Sequence, residues 1–382
     1  MSAANNAVFS SAKGIDLNFL SAKSGNVYPY FFGVFVGVRM SYGIVFPGQG
    51  SQSIGMLHTL ANEFSIVEET FGEASEILGF DLWKLVQEGT ESEINQTCLT
   101  QPLILTAGVA VWRAWSHYWL GVGLADFYPL CMAGHSLGEY TALVCGGALS
   151  FKDAVRIVTL RAQYMAAALP ENTGAMSAII GLNAETLFSI CEEVSTHAAQ
   201  VYVCNINSSE QIVIGGHCSA VDKANVTAKK LGAKKIVPVN MSVPSHCILI
   251  KKAADKLKIV LSEVIFNTPI MPIIQNYNVD PFINLEDQLG YGVALAQNAR
   301  IAENLYYQVF HPVNWVQVIF KMMSQGCKVI VELGPKKVLT TMNKRISSDI
   351  KFASIETMQD IEHAMSLIRI SINSNERGAV VC

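Results

Sequence analysis

The stretch that most restricts what this chain can fold into is Gly134-His135-Ser136-Leu137-Gly138. An apolar run at residues 128–133 leads into it, and small apolar residues at 137–149 lead out of it. That order reads as a strand, a sharp turn and a buried helix, with the serine carried on the bend. The flanking glycines let the backbone turn tightly and let another group approach. At the start of a helix, unpaired N–H groups favour negative charge developing nearby. The plainer alternative is a tight turn with an ordinary N-cap serine.

The rest of the chain sets that bend in a layered fold. Tyr42–Phe46 is a short apolar run closed by Pro47 and Gly48, a strand entering a tight loop. Helical spacing runs through residues 64–78 and 102–115, and Ser150 with Asp153 opens a helix through about residue 169. Residues 247–264, 315–324 and 338–346 read as helices, and 270–274 and 328–333 as strands. No period is legible over 280–299. Strands alternating with helices imply a mostly parallel sheet covered on both faces. Between 173 and 240 the rhythm changes. A strand at 175–182, a helix at 184–194, strands at 201–206 and 211–215, a helix at 219–231 and a strand at 235–239 spell βαββαβ, the ferredoxin-like order. The expected organisation is an α/β core from 40–172 and 241–370, a small subdomain inserted at 173–240, and a frayed polar tail at 371–382.

Residues 1–39 read as an extension outside the fold. Their aromatic run at 28–38 is shorter than the ~20 apolar residues of a spanning helix. It has no compact basic segment before it and no small-x-small cleavage site after it, so a secretory signal is not expected. Hydrophobic residues make up 51% of the 382 and charged residues 15%, enough to bury a large core. A net charge of -4, with no dense Lys/Arg block, argues against a nucleic-acid or anionic-membrane partner. The 9 cysteines include no CxxC and several lie in apolar runs, as reduced thiols of a cytoplasmic protein would. No His/Cys/Asp/Glu group has metal-ligand spacing, so neither a metal nor another cofactor is expected.

A serine needs a base to take its proton. Of the 8 histidines, His135 adjoins Ser136 and points away from it on such a bend, so a structural role is expected. His246, in Val243-Pro244-Ser245-His246-Cys247, lies where the chain returns from the subdomain, and a loop there can face the bend across a cleft. Position alone favours it without settling the choice, since His58, His117, His197, His217, His311 and His363 read more often as surface or core residues.

Four motifs, in order, resemble the malonyl-CoA:acyl carrier protein transacylases of bacterial fatty acid synthesis. They are Phe46-Pro47-Gly48-Gln49-Gly50-Ser51-Gln52, Gly134-His135-Ser136-Leu137-Gly138-Glu139-Tyr140, Val243-Pro244-Ser245-His246, and Gly334-Pro335 with Lys337-Val338-Leu339. The resemblance spans about residues 41–346. It implies an α/β-hydrolase-like core carrying a ferredoxin-like insert, and a ping-pong acyl-serine mechanism without a cofactor. The partners it implies are malonyl-CoA, as a coenzyme A thioester substrate, and acyl carrier protein; a monomer is expected. It implies Ser136 as the acylated residue, His246 as the base, and the backbone carbonyl of Gln308 as the group that orients it. The Gln49 and Leu137 N–H groups would form the oxyanion hole, where one lost donor typically costs ~3–4 kcal/mol. Arg161 would hold the malonyl carboxylate through its planar fork. Gln101, Asn205 and Asn207 would line the acyl pocket. This chain departs from the family's Gly-Pro-Gly at Gly334-Pro335-Lys336 and has no counterpart for residues 1–39.

Three other functions stay in view. A serine thioester hydrolase would need only the bend and the base. A carrier-protein docking module without activity would not need Ser136, His246 and Arg161 together. An acyltransferase serving a polyketide or lipid assembly line in trans would share the chemistry and change the partner.

Overall fold

Tyr42–Phe46 is buried along its whole length, as a strand must be when helices cover both faces of its sheet. The structure, a computed structural model, describes residues 40–378 apart from 125–126, 171, 240, 242 and 280–290. The extension assigned to 1–39 and the end of the tail lie outside the described residues. The strands, in chain order, are β1 (Tyr42–Phe46), β2 (Met132–Gly134), β3 (Gly174–Ile180), β4 (Val201–Ser208), β5 (Gln211–His217), β6 (Lys235–Pro238), β7 (Ile273–Ile274), β8 (Val313–Asn314), β9 (Val329–Leu333) and β10 (Lys351–Ile355).

The first sheet runs β10-β9-β1-β2-β7, and every pairing in it is parallel. From β1 the winding proceeds through β2 to β7 on one side, then through β9 to β10 on the other. Open parallel sheets bind ligands where the winding reverses, beyond the carboxyl ends of the strands. At that edge β1 leads into Pro47-Gly48-Gln49, β2 into His135-Ser136, β7 into Gln275-Asn276, and β9 into Gly334-Pro335.

The second sheet runs β6-β3-β5-β4-β8. Its first four strands pair antiparallel, with the helices Ala184–Val194 and Cys218–Lys230 between them in sequence. This is the ferredoxin-like arrangement. β8 is an addition that the sequence does not signal, since two residues carry no periodicity. It pairs parallel with β4, with Asn205 opposite Val313 and Ile206 opposite Asn314. It follows directly on the helix Tyr291–Phe310, whose last turns carry Gln308. The subdomain sheet is thus stitched to the part of the core that holds one of the candidate residues.

Several element limits differ from the sequence reading. The helix expected to start at Pro102 runs from Thr97 to Gly121 with Pro102 inside it. Its first turn is held by Thr100, whose hydroxyl donates to Ile94 O and Gln96 O. Gln101 is therefore helical and fully buried. β10 and the helix Met358–Gly378 have no counterpart in the reading, and the tail expected to fray from 371 is helical as far as Gly378. Buried Ile361, Ala364, Met365 and Ile368 form a helical stripe against β9 and β10. Thr357 and Asp360 cap its start reciprocally. The apolar stretch around Trp119 and Phe127 covers Tyr42, whose hydroxyl donates to Phe127 O at 2.7 Å. Six of the described cysteines are buried, and all of those described are free.

The bend requires its glycines for closeness. A Cβ on Gly134 would lie 1.9 Å from Gly138 C, and one on Gly138 would lie 2.1 Å from Phe46 O. Neither backbone atom can move aside like a side-chain end. Gly72, on the exposed side of the helix Ile66–Leu78, meets nothing within 4 Å. Gly138→Ala should therefore destabilise the protein by ~3 kcal/mol or more. Gly72→Ala should stabilise it by up to ~1 kcal/mol. Urea denaturation of the two variants checks both signs, and equal effects would contradict the packing described.

Candidate active site

Ser136 stands on the bend with φ 53°, a left-handed conformation that costs a non-glycine residue roughly 1–3 kcal/mol. Asn276 holds it there. The Ser136 N–H donates to Asn276 Oδ1 at 2.7 Å, and Asn276 Nδ2 donates to Gly134 O at 2.7 Å, so one side chain brackets the turn. His246 is likewise left-handed, with φ 63°, and its N–H donates to Val309 O at 3.0 Å. These two strained residues meet: Ser136 Oγ lies 2.8 Å from His246 Nε2. On the far side of the ring, Nδ1 is 2.8 Å from Gln308 O. A carbonyl can only accept, so Nδ1 carries the hydrogen and Nε2 is left to accept the serine proton.

Arg161, on the helix Phe151–Ala166, reaches the same point and is 2% exposed. Its Nη2 donates to Ser136 Oγ at 3.2 Å and to Gln308 Oε1 at 3.3 Å, and Nη1 donates to Gln101 Oε1 at 2.8 Å. Nε is buried without a partner. Of five guanidinium donors, two stay available.

Glu139 is the charge that the sequence reading passed over. It lies fully buried on the helix Gly138–Cys145 and accepts from Gln275 Nε2, Asn276 N and Gln308 Nε2 at 2.7, 2.9 and 2.9 Å. Asn304 Nδ2 donates in turn to Gln275 Oε1 at 2.9 Å. Burial pushes the Glu139 carboxyl up, and these donors and Arg161 pull against that rise. The signals were a lone acid among the small residues 137–149 and a polar Gln275-Asn276 directly after an apolar run.

The Gln49 and Leu137 N–H groups donate to nothing among the described residues. Their loop and bend lie together: a Cβ on Gly48 would be 2.6 Å from His135 O. Around them, Ser51 Oγ donates to Gly48 O and Gly50 N donates to Gln52 Oε1. Both amides are thus left without an acceptor among the described residues. Gln101 also approaches Met165 Sδ at 3.8 Å. Asn207 is buried on β4, and its Oδ1 accepts from His135 Nε2 at 3.0 Å. His135 tilts over Trp315 at 5.3 Å and does not reach Ser136 Oγ, in keeping with a structural role. Asn205 is buried on β4 without a side-chain hydrogen bond to any described residue. Among the described residues no group of three or more His, Cys, Asp or Glu could hold a metal ion.

The His246 imidazole is pushed down to about 3, first by burial and then by the Arg161 charge, with the Gln308 carbonyl opposing. It is therefore neutral, and able to accept a proton, well below the usual histidine range.

A model of the acyl transferase domain matches residues 44–372. The malonyl CoA-acyl carrier protein transacylase of Salmonella typhimurium is 43% identical over 325 residues, covering 85% of this chain and 99% of that protein. The solved malonyl CoA-acyl carrier protein transacylase of Coxiella burnetii superposes with a TM-score of 0.79 at 41% identity, over 87% of this chain and 98% of that one. A type II polyketide synthase acyl carrier protein in complex with its malonyl-transacylase contains a chain matching at TM-score 0.78 and 42% identity, over 85% and 99%.

The depressed His246 value fixes a sign. A base whose folded value lies below its unfolded one near 6.5 keeps its proton-accepting form as pH falls through 6.5, and loses it only on approach to the folded value. The rate at which a neutral fluorophosphonate labels Ser136 should stay level from pH 8 to 5 and fall below that. A half-maximal rate near pH 6.5 would contradict the burial argument. The same shift contributes stability that is present above pH 6.5 and lost as pH falls from there towards 3.

Proposed function

The chain belongs to the acyl transferase family, and from that premise we infer that it moves a malonyl group from malonyl-CoA to the phosphopantetheine thiol of an acyl carrier protein. It is an [acyl-carrier-protein] S-malonyltransferase of fatty acid biosynthesis. One observation carries the reading. A buried arginine with donors to spare lies 3.2 Å from a hydroxyl that a neutral imidazole can deprotonate. That pairs a site for a carboxylate with a site for acyl transfer.

In the proposed cycle His246 Nε2 takes the Ser136 proton as Oγ attacks the malonyl thioester carbon. The Gln49 and Leu137 amides receive the oxyanion. The carbon–sulfur bond breaks, and the coenzyme A sulfur takes the proton back from His246. The carrier's thiol then gives its proton to His246, attacks malonyl-Ser136, and leaves as malonyl thioester while Oγ regains a proton. Arg161 holds the malonyl carboxylate throughout, with Gln101 fixing the guanidinium and Asn205 lining the acyl pocket. The Gln308 carbonyl fixes the imidazole tautomer. These steps draw on residues of one chain. No helix among the described residues is long and apolar enough to cross a membrane. The free thiols favour a reducing, cytoplasmic setting.

Hydrolysis remains the chemical competitor, and the carrier could belong to a polyketide assembly line, as in the related complex. Intact-protein mass after mixing with malonyl-CoA separates these outcomes. Malonyl-Ser136 that persists and then passes to acyl carrier protein is the expected result. Free malonate released at the same rate without carrier would mark a hydrolase. Arg161→Ala should lower malonyl transfer roughly 10²-fold, as loss of a charged hydrogen bond implies, while acetyl transfer is kept or rises. An unchanged preference for malonyl over acetyl would remove Arg161 from its assigned place.

A further inference from the structure

His246 is oriented by a neutral carbonyl, Gln308 O, where a serine–histidine pair is often oriented by a carboxylate. An aspartate in that place both steers the ring and stabilises the imidazolium that forms when the serine is deprotonated. Here the steering is supplied and the counter-charge is not. The nearest full charge to the pair is positive, with Arg161 Nη2 at 3.2 Å from Ser136 Oγ. The groups facing the imidazole from the elements around it are Arg161 on the helix Phe151–Ala166, His135 after β2, and the Gln308 carbonyl on the helix Tyr291–Phe310. Glu139 and Tyr140, on the helix Gly138–Cys145, face Arg161. The Glu139 carboxylate is already occupied by Gln275, Asn276 and Gln308.

We propose that the substrate's own carboxylate supplies the missing counter-charge: by pairing with Arg161 it relieves the Ser136–His246 pair of the guanidinium's field and turns the nucleophile on. This inference rests on the malonyl reading and deepens it. Arg161 then does two things. It holds the carboxylate, and in its absence it suppresses the base. Proton transfer from Ser136 Oγ to His246 Nε2 creates a cation beside a cation, an unfavourable step in a buried site. Glu139 offsets part of the guanidinium's charge across the Gln308 amide, and a carboxylate placed directly on the Nε and Nη donors offsets more of it before that proton moves. The guanidinium also donates to Oγ itself, which weakens it as a nucleophile until the carboxylate draws that donor away. The downward shift of the imidazole agrees with this arrangement, since Arg161 is the largest cause after burial. Discrimination against acetyl-CoA would then arise in the chemical step as well as in binding.

The test supplies the acyl group in two pieces. Acetyl-CoA and formate together carry the parts of malonyl-CoA, with the anion no longer tethered. Acetylation of Ser136 is followed in single turnovers by intact mass, with wild-type protein, at saturating and sub-saturating acetyl-CoA, from pH 5 to 8. Saturating formate should raise the maximal acetylation rate about tenfold, a part of the ~10²–10⁴ that a positioned base supplies. The apparent affinity for acetyl-CoA should change little. The acid limb of the rate should move up towards the usual histidine range, because relieving the guanidinium raises the imidazole. Formamide, similar in size and uncharged, should do none of this. Arg161→Ala should acetylate without any response to formate, with its acid limb already raised. A maximal rate unmoved by formate, or a change confined to acetyl-CoA affinity, overturns the proposal. Malonyl-CoA run alongside keeps the two readings apart: if it leaves no acyl group on Ser136 the function itself fails, and if it does while formate is inert only the switch fails.

Discussion

Two opposite charges are buried behind the Ser136 bend, and the amide of Gln308 keeps them apart. Gln308 Oε1 accepts from Arg161 at 3.3 Å while its Nε2 donates to Glu139 at 2.9 Å. A buried charge without partners costs several kcal/mol, so both must be compensated. A direct, two-pronged Arg161–Glu139 pair would have met that need more simply. It would also have used up the guanidinium, and an incoming anion would then have had to break a buried ion pair. With the amide in between, each charge is satisfied at one remove and Arg161 retains donors. Gln308 is suited to the position because an amide both gives and accepts. Neither a glutamate nor a leucine could replace it on both sides. Its other contacts extend the same logic, for its carbonyl orients His246 and its Nε2 also donates to Ser136 O at 2.8 Å.

That residue lies at the end of a helix that runs straight into β8, and β8 extends the small sheet. The subdomain is therefore tied into the core through this strand. β4 pairs with β8 next to Asn205, and Asn207 on the same strand accepts from His135, the residue before the nucleophile. Trp315, which starts the next helix, packs against His135 and donates to Asn343 Oδ1 at 2.7 Å. Any displacement of the small sheet would be felt at His135 and through it at the bend. A two-residue parallel strand contributes little hydrogen bonding by itself. Its effect is on register, fixing Asn205 and Asn207 relative to Gln308.

How much of this was legible follows from the range over which each signal acts. The bend is local, set by two glycines and the runs beside them, and it appears where the sequence put it. The βαββαβ order was legible because each element has its own period. Ser136, His246, Gln308 and Arg161 were named through motifs, and the structure brings all four together. Asn276 and Glu139 were missed for a physical reason. Asn276 follows a strand of two residues, and its role depends on a turn 140 residues earlier in the chain. Glu139 sits in a motif already explained by its serine, and a buried acid is indistinguishable in sequence from an exposed one. Pro102 misled the helix limit because proline favours a first turn, whereas here Thr100 supports a turn before it. β10 and the last helix went unread because their apolar stripe lies beyond the point where the motifs stop.

Backbone strain is distributed along the same edge of the sheet. Ser136, His246 and Lys336 have φ of 53°, 63° and 62°, a region where glycine would be at ease. At the first two positions glycine would relieve the strain and delete the reacting atom. Each is instead held by a bond to its own N–H, from Asn276 Oδ1 and from Val309 O. Lys336 is different, since no reacting atom requires it. Its Nζ donates to Gln52 O at 2.8 Å, and its N–H donates to Glu356 Oε1 at 2.8 Å. The lysine thus ties the loop after β9 to the loop that carries the Gln49 amide. A hydrogen bond of this kind offsets part of a penalty of roughly 1–3 kcal/mol, and it does so between the loop after β9 and the loop that carries the Gln49 amide. The three strained residues therefore share one physical purpose: each fixes a position that glycine would leave loose, at the edge where the acyl group has to be met from several directions at once.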